Sequence, residues 1–374
     1  MNRRPNQSRS GYDAFSAEHT MRLRMRVSDA DFFIPRKKTP LAHRLLFALA
    51  AALALFFAVN VLCNQFVFVR RVSVPVRGLS EAFDGYTILH ITDLKGERFG
   101  PEQAFFHLAI GDEEFDLVLI TGDMLSPMGN ARPFQELLER IEQMNTGAPV
   151  YYIVGDSDPL PVSMSYAGGG SPFAPWVLEA GQHGAQMLSS PVSIKRDGQT
   201  IWLTTRAQLS LDLAAMQSEY ERQYLAALAS GDENAIEMTA YQLGTLEGMR
   251  SARKQMTAED VYIALTHTLP GSGDADAMRP SAIPRAVDLM LGGHYLGGLV
   301  RLPAVGPLFV PSSTHSNYGI LPGKDGYSGL TRSGSTWLYA SSGLGSQDAM
   351  YPGWFFRLLN PPSVTLITLT PSAL

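Results

Sequence analysis

Cysteine is nearly absent from this chain: among 374 residues there is one, Cys63. No intrachain disulfide can form, and dithiol redox chemistry is excluded as the main function. Charge is sparse as well, 17% of residues, with a net charge of -5 from scattered acids. No basic stripe runs along the part expected to fold, which argues against a nucleic-acid partner. An apolar content of 45% is enough to bury a sizeable core.

What is present begins with a long apolar run. Residues 45–69 carry no charge, and no polar residue interrupts them before Asn60. A solvated helix would show a polar face at 3.6-residue spacing, so the run reads as one transmembrane helix, where about 20 apolar residues cross about 30 Å of hydrocarbon. The preceding tail is much longer than the n-region of a cleaved signal peptide, and no small-x-small cleavage site comes after the run. Residues 1–44 read as a disordered basic tail with Arg22, Arg24, Arg26 and the Arg36 to Lys38 cluster. The excess of basic residues before the span, against Arg70, Arg71 and Arg77 after it, favours a cytoplasmic N-terminus and an extracytoplasmic main domain.

From residue 72 to 374 short apolar runs alternate with amphipathic stretches such as 134–144. Strands are expected at 86–92, 116–121, 149–154, 200–205, 261–266, 288–291, 337–340 and 364–369. An order that is strand-rich at both ends suggests an α/β fold of two packed mixed sheets flanked by helices. Residues 208–256 break the pattern with two amphipathic helices around a Ser-Gly-Asp turn, an inserted hairpin with Asn234 as the N-cap of its second helix and Thr257 as the cap of the next element. Its apolar stripe fits either a lid or a partner-binding arm, or a hairpin that is simply packed.

Five of these strands run into a metal-ligand type of residue: Asp93, Gly122-Asp123, Gly155-Asp156-Ser157-Asp158, His267 and Gly293-His294. One strand-terminal Asp is an ordinary turn residue. Five in register point at a common centre, because ligands collect at strand ends in α/β sheets. The glycines allow tight turns before Asp123, Asp156 and His294. A mixed carboxylate and imidazole set suits one divalent ion, Zn, Mn or Fe.

The order of these motifs resembles the calcineurin-like metallophosphoesterases, whose pattern runs D-x-H, GDxxD, GNHD, a lone His and GHxH. The stretch GHYLGGLVRLPAVGPLFVPSS and the closing SSGLGSQDAMYPGWFFRLLNPPSVTLITL look most like the membrane-associated or secreted bacterial phosphodiesterases of that family. The resemblance implies a metallophosphoesterase-type sandwich acting on a phosphomonoester or phosphodiester. It also exposes departures. Lys95 and Leu296 stand where the first ion would have two histidines, Ser126 replaces the second Asp of GDxxD, and Ser157 stands at the catalytic His position. What the resemblance leaves is one ion held by Asp123, Asp156, His267 and His294, with Asp93 as a further ligand candidate. His90 and His315 lie near the motifs and read as structural histidines. The implied function is a membrane-anchored hydrolase with a single metal ion, whose substrate is a phosphorylated small molecule or lipid. The alternative is a catalytically inactive relative that binds a ligand or partner at the membrane; a purely structural anchor would leave the aligned ligands without a reason.

Overall fold

In the computed structural model the described residues are 40–126, 128–144, 147–162, 172–270, 282–302, 305–310, 319–322, 328–346 and 357–372. The basic tail up to residue 39 and His315 lie outside them. The chain divides into two compact units, residues 1–57 and 58–374. In the first, the described residues form the larger part of helix α1, Leu41–Cys63, whose mean hydropathy of 2.6 and 23 residues suffice to cross a membrane.

The second unit begins with the last turns of α1. The helix stops at Cys63, where the Asn64 side-chain Nδ2 donates to the Asn60 carbonyl at 2.7 Å. Strand β1, Phe68–Arg77, comes directly after it. Hydropathy carries the span on to Val69, but Phe68 and Val69 pair with Ser363 and Val364. Alternation explains the difference: Val72, Val74 and Val76 point one way with Arg71, Ser73 and Pro75 between them, a strand period that an apolar average over residues 45–69 cannot see.

The remaining strands are β2 Thr87–Ile91, β3 Leu117–Ile120, β4 Val150–Tyr152, β5 Ala185–Met187, β6 Val192–Arg196, β7 Gln199–Thr205, β8 Val261–Leu265, β9 Leu289–Gly292, β10 Val300–Leu302, β11 Gly306–Val310, β12 Gly319–Ile320, β13 Gly329–Ser333, β14 Thr336–Ala340 and β15 Ser363–Ser372. They build two six-stranded mixed sheets, ordered β1-β15-β2-β3-β4-β5 and β13-β14-β9-β8-β7-β6, and a small sheet of β10, β11 and β12. Between the large sheets lie Ile88, Leu117, Leu119 and Ile367 from one, and Ile201, Val261, Ile263, Leu265 and Leu289 from the other. Each such side chain contributes about 1.5–3 kcal/mol on full burial.

The outer face of the first sheet (Leu89, Ile91, Val118, Ile120) packs on helices α2 Ala104–Ile110, α3 Arg132–Gln143 and α4 Pro175–Gln182. After the one-turn helix α5 Arg206–Leu209 comes the hairpin, α6 Leu213–Ser230 and α7 Glu233–Gln255. Ala252 and Met256 seat the end of α7 on the outer face of the second sheet beside Trp202 and Tyr262. The cap of α7 is Asp232, whose carboxylate accepts from the Ala235 amide, and not Asn234. Gly231, at φ +70°, ends α6 and leaves Asp232 as the first residue able to cap. Thr257 caps no helix; its amide donates to Asp260 in the turn into β8.

Candidate metal centre

Strands β2, β3 and β4 run parallel, and the loops at their C-terminal ends carry Asp93, Asp123 and Asp156. His267 and His294 come after β8 and β9, a parallel pair in the other sheet. The two sheets therefore meet at one edge with all five residues. Backbone conformation helps aim them: Asp93, Asp123 and His294 have φ of 54°, 55° and 68°, in the left-handed region that non-glycine residues avoid. Lys95 and Leu296 keep the same strained backbone, at φ 52° and 54°, although neither ligates a metal. Close approach explains two of the glycines better than turn conformation does. A Cβ on Gly155 would meet the Asp123 carboxylate at 2.2 Å, and one on Gly293 would meet Thr92 Oγ1 at 2.1 Å and Asp93 Oδ2 at 2.3 Å.

Asp123 is the hub. Its Oδ2 receives Lys95 Nζ at 2.8 Å, Ser157 Oγ at 3.1 Å and His267 Nε2 at 3.2 Å, while Oδ1 receives the Ser157 amide at 2.8 Å. Burial alone would raise its carboxyl; the hydrogen bonds and charges of His267 and Lys95 outweigh that and hold it well below the usual carboxylate range. His267 answers in the opposite direction. Burial would lower it, but the Asp123 hydrogen bond and charge and the Asp93 charge push it up to about 9.

The donor set separates the two metal positions expected from the resemblance. At the first, the Lys95 ammonium is buried between Asp123 and Asp93, 3.7 Å from Asp93 Oδ1, and Leu296 is fully buried. The Lys95 ammonium thus neutralises these two carboxylates, and Leu296 offers no ligand atom. At the second, His267 Nδ1 lies 2.8 Å from the Thr121 carbonyl, an acceptor only, so Nδ1 keeps its proton, and the Nε2 proton given to Asp123 is the one that an ion would displace. The bond to Thr121 is the outer-shell bond that orients a metal-binding imidazole. His294 Nδ1 is 3.3 Å from that Nε2 and 3.5 Å from Asp156 Oδ2. The residues fit one ion. They form two overlapping groups that share His267, one with Asp156 and His294, the other with Asp93 and Asp123. Asp156 is the exposed member, its side chain 68% accessible. Asp93 Oδ2 accepts from Thr92 Oγ1 and the His294 amide, whereas its buried Oδ1 has no hydrogen-bond partner.

Ser157, at the catalytic His position of the family pattern, spends both its amide and its hydroxyl on Asp123. Sequence reasoning placed Asp158 in a strand-terminal motif and gave it no role of its own. Its two oxygens accept the backbone N–H groups of Asp123, Gly155 and Leu125 at 2.8, 2.9 and 2.9 Å, tying the β3 and β4 loops together. The signal was an Asp three residues after Gly155, the spacing of a carboxylate that closes its own turn. His90 is fully buried in β2, bonded to Thr121 Oγ1 at 2.9 Å and stacked edge-on against Tyr339; it is a structural histidine.

No curated protein sequence matches the chain. Among solved structures it is similar to a phosphopantetheinyl hydrolase from Mycobacterium tuberculosis, with 11% identity and a TM-score of 0.32, over 75% of this chain and 98% of that one. The sequence profile of the calcineurin-like phosphoesterases matches residues 86–297, more than half of the chain and all five ligand-bearing strand ends. The chain belongs to the calcineurin-like phosphoesterase family.

Proposed function

We propose that the protein is a membrane-anchored phosphoesterase that works with a single divalent ion, held by Asp123, Asp156, His267 and His294 with Asp93 beside them. The observation that carries this reading is the commitment of His267 Nδ1 to the Thr121 carbonyl, which leaves Nε2 for an ion next to His294 and Asp123. When bound, such an ion polarises a phosphoryl oxygen and makes water a stronger nucleophile. The residues of the chain do the rest. Lys95 supplies the fixed positive charge that a second ion would otherwise give to Asp93 and Asp123. Ser157 anchors Asp123 and, with no pKa near neutrality, protonates no leaving group. The proton for an alkoxide leaving group therefore comes from the attacking water. The anchor is α1, and the basic residues before it orient the domain to the extracytoplasmic side.

The test uses full-length protein in detergent: metal content by elemental analysis, and turnover of bis-p-nitrophenyl phosphate with added Mn or Zn. One ion per chain, with turnover and metal both lost in His294→Ala, supports the reading. Neither metal nor turnover would make the protein an inactive relative that binds a ligand or partner at the membrane.

A further inference from the structure

The register of the sheets fixes which edge of the second unit carries the last turns of α1. Arg70 of β1 pairs with Thr365 of β15, and Thr365 pairs with His90 of β2. Because β1 and β15 run parallel to each other and antiparallel to β2, the start of β1 and the end of β2 share one edge. Asp93, three residues beyond His90, is thus level with Val67. Only the link from Cys63 to Phe68 separates that level from the last residue of α1, a reach of at most about 18 Å fully extended. Within this unit the metal centre stands at the edge that carries residues 58–63, the last turns of α1.

The same edge exposes apolar side chains in its loops and strand ends, as Leu108 on α2 and Leu225 on the hairpin do elsewhere. Phe66 and Phe68 lead into β1 at 43% and 45% exposure; Met128, in the loop after β3, is 96% exposed; Ile320, in the small sheet beyond β9, is 82% exposed. Leu359, in the turn before β15, is exposed as well. Among the described residues, the turns at the opposite ends of the strands bury their large apolar side chains, as Leu79, Phe83 and Phe115 show. Exposed apolar groups gathered at one edge of a domain can serve an apolar partner. Two guanidinium groups sit in this rim. Arg301 Nη1 donates to the Gly297 carbonyl at 2.9 Å, and Arg70 reaches Asn360 Oδ1, whose amide group holds the Leu296 and Gly298 carbonyls. Both flank the turn after His294, where an anionic headgroup would arrive.

We propose that this edge rests on the bilayer that holds α1 and that the metal centre takes the phosphoester headgroup of a lipid embedded there. The inference rests on the anchored-phosphoesterase reading above and adds the substrate class. For a phosphatidic acid the step adds one water across the phosphorus–oxygen bond to the glycerol: hydroxyl to phosphorus, proton to the departing glycerol oxygen, giving diacylglycerol and inorganic phosphate.

The experiment uses full-length protein in phosphatidylcholine nanodiscs containing phosphatidic acid. In a Cys63→Ala background, Met128→Cys, Ile320→Cys and Asp197→Cys each carry an environment-sensitive fluorophore, and quenching by spin-labelled lipid is read. Phosphate release from the embedded phosphatidic acid is compared with release from glycerol 3-phosphate, and bis-p-nitrophenyl phosphate serves as the control for general activity. Expected are quenching at positions 128 and 320 but not at 197, and a lipid rate at least about tenfold the soluble one, as confinement to one surface raises effective concentration. Labels unquenched at 128 and 320, or quenched equally at 197, would overturn the docking. Turnover of the chromogenic diester with no preference for the embedded lipid would overturn the substrate class and leave the phosphoesterase reading standing. No turnover of any substrate would remove the phosphoesterase reading, and the substrate class with it.

Discussion

Lys95 Nζ lies 2.8 Å from Asp123 Oδ2, both side chains almost fully buried, in the place where a related two-ion site would hold its first cation. The pair is a substitution of charge for charge. Removing one partner of a buried pair leaves the other charge uncompensated, at about 3–5 kcal/mol. Lys95→Ala is therefore expected to lower the denaturation midpoint strongly, because Asp93 and Asp123 are left facing each other. Added Mn or Zn should restore part of the loss by occupying the vacated position, which urea titrations with and without metal will read. A midpoint unchanged by the substitution would mean that the ammonium does not neutralise the carboxylates.

Asp158 acts through Asp123. Three backbone N–H groups from two loops converge on one carboxylate, and Asp158→Ala strips all three of their acceptor. Each buried donor left unsatisfied costs about 1–3 kcal/mol. The expected outcome is a destabilised protein whose metal affinity falls about 10- to 100-fold, the usual penalty for losing an outer-shell partner. Asp158→Asn keeps an acceptor oxygen and should recover most of the stability. Metal titration by isothermal calorimetry separates the two variants.

The ligand-bearing strands were legible because each is a short apolar run that ends in a carboxylate or imidazole, as LVLI before Gly122-Asp123 does. Burial on both faces writes itself into composition. The left-handed backbone at Asp93, Asp123 and His294 is not written there, since no glycine marks those positions. Strand β1 was hidden by its own apolar start, which continues the composition of α1 without a break. Edge strands such as β13, GLTRS, carry too few apolar residues to announce themselves. The Lys95 substitution could be read as a lost ligand from sequence, but its 2.8 Å contact with Asp123 depends on two strands brought together by the sheet.

His90 provides the pH dependence. Burial lowers it to about 3, far below the 6.5 of an exposed imidazole, so the fold holds it neutral while the unfolded chain protonates it in mild acid. Its contribution to stability is fully present above pH about 6.5 and falls by up to about 1.4 kcal/mol per pH unit as the pH drops toward 3. His90→Phe removes this slope without removing the ring that packs on Tyr339. Denaturation midpoints of the parent and the variant, compared between pH 7.5 and pH 4.5, should diverge in favour of the variant as acid is added. Parallel curves would show that His90 is not neutral in the fold.

Asn60 is an amide near the end of an otherwise apolar helix, and its bonds explain why it is there. Its Nδ2 donates to the Arg357 carbonyl at 2.7 Å and its Oδ1 accepts the Leu359 amide at 3.0 Å; Asn64, one turn on, donates to the same carbonyl and accepts the Arg357 amide. The two asparagines clamp the segment whose Arg357 side chain, fully buried, donates to the Gly345 carbonyl. That stretch of backbone abuts the β2 loop, where the Gly345 amide donates to the Asp93 carbonyl. The uncharged part of α1 before Asn60, Leu45 to Val59, is about 22 Å long at 1.5 Å per residue, and the turn before it, with Arg44 reaching for the headgroups, brings the length near that of the hydrocarbon. Asn60 is thus free to serve the folded domain and not the lipid. Asn60→Leu keeps the helix apolar but orphans the Leu359 amide, at about 1–3 kcal/mol. Hydrogen exchange on the full-length protein is expected to show lost protection at Leu359 and Gly345, with the strands between the two large sheets unchanged. Protection unaltered at both amides would mean that Asn60 bonds elsewhere and that the anchor's end is not coupled to the loop carrying Asp93.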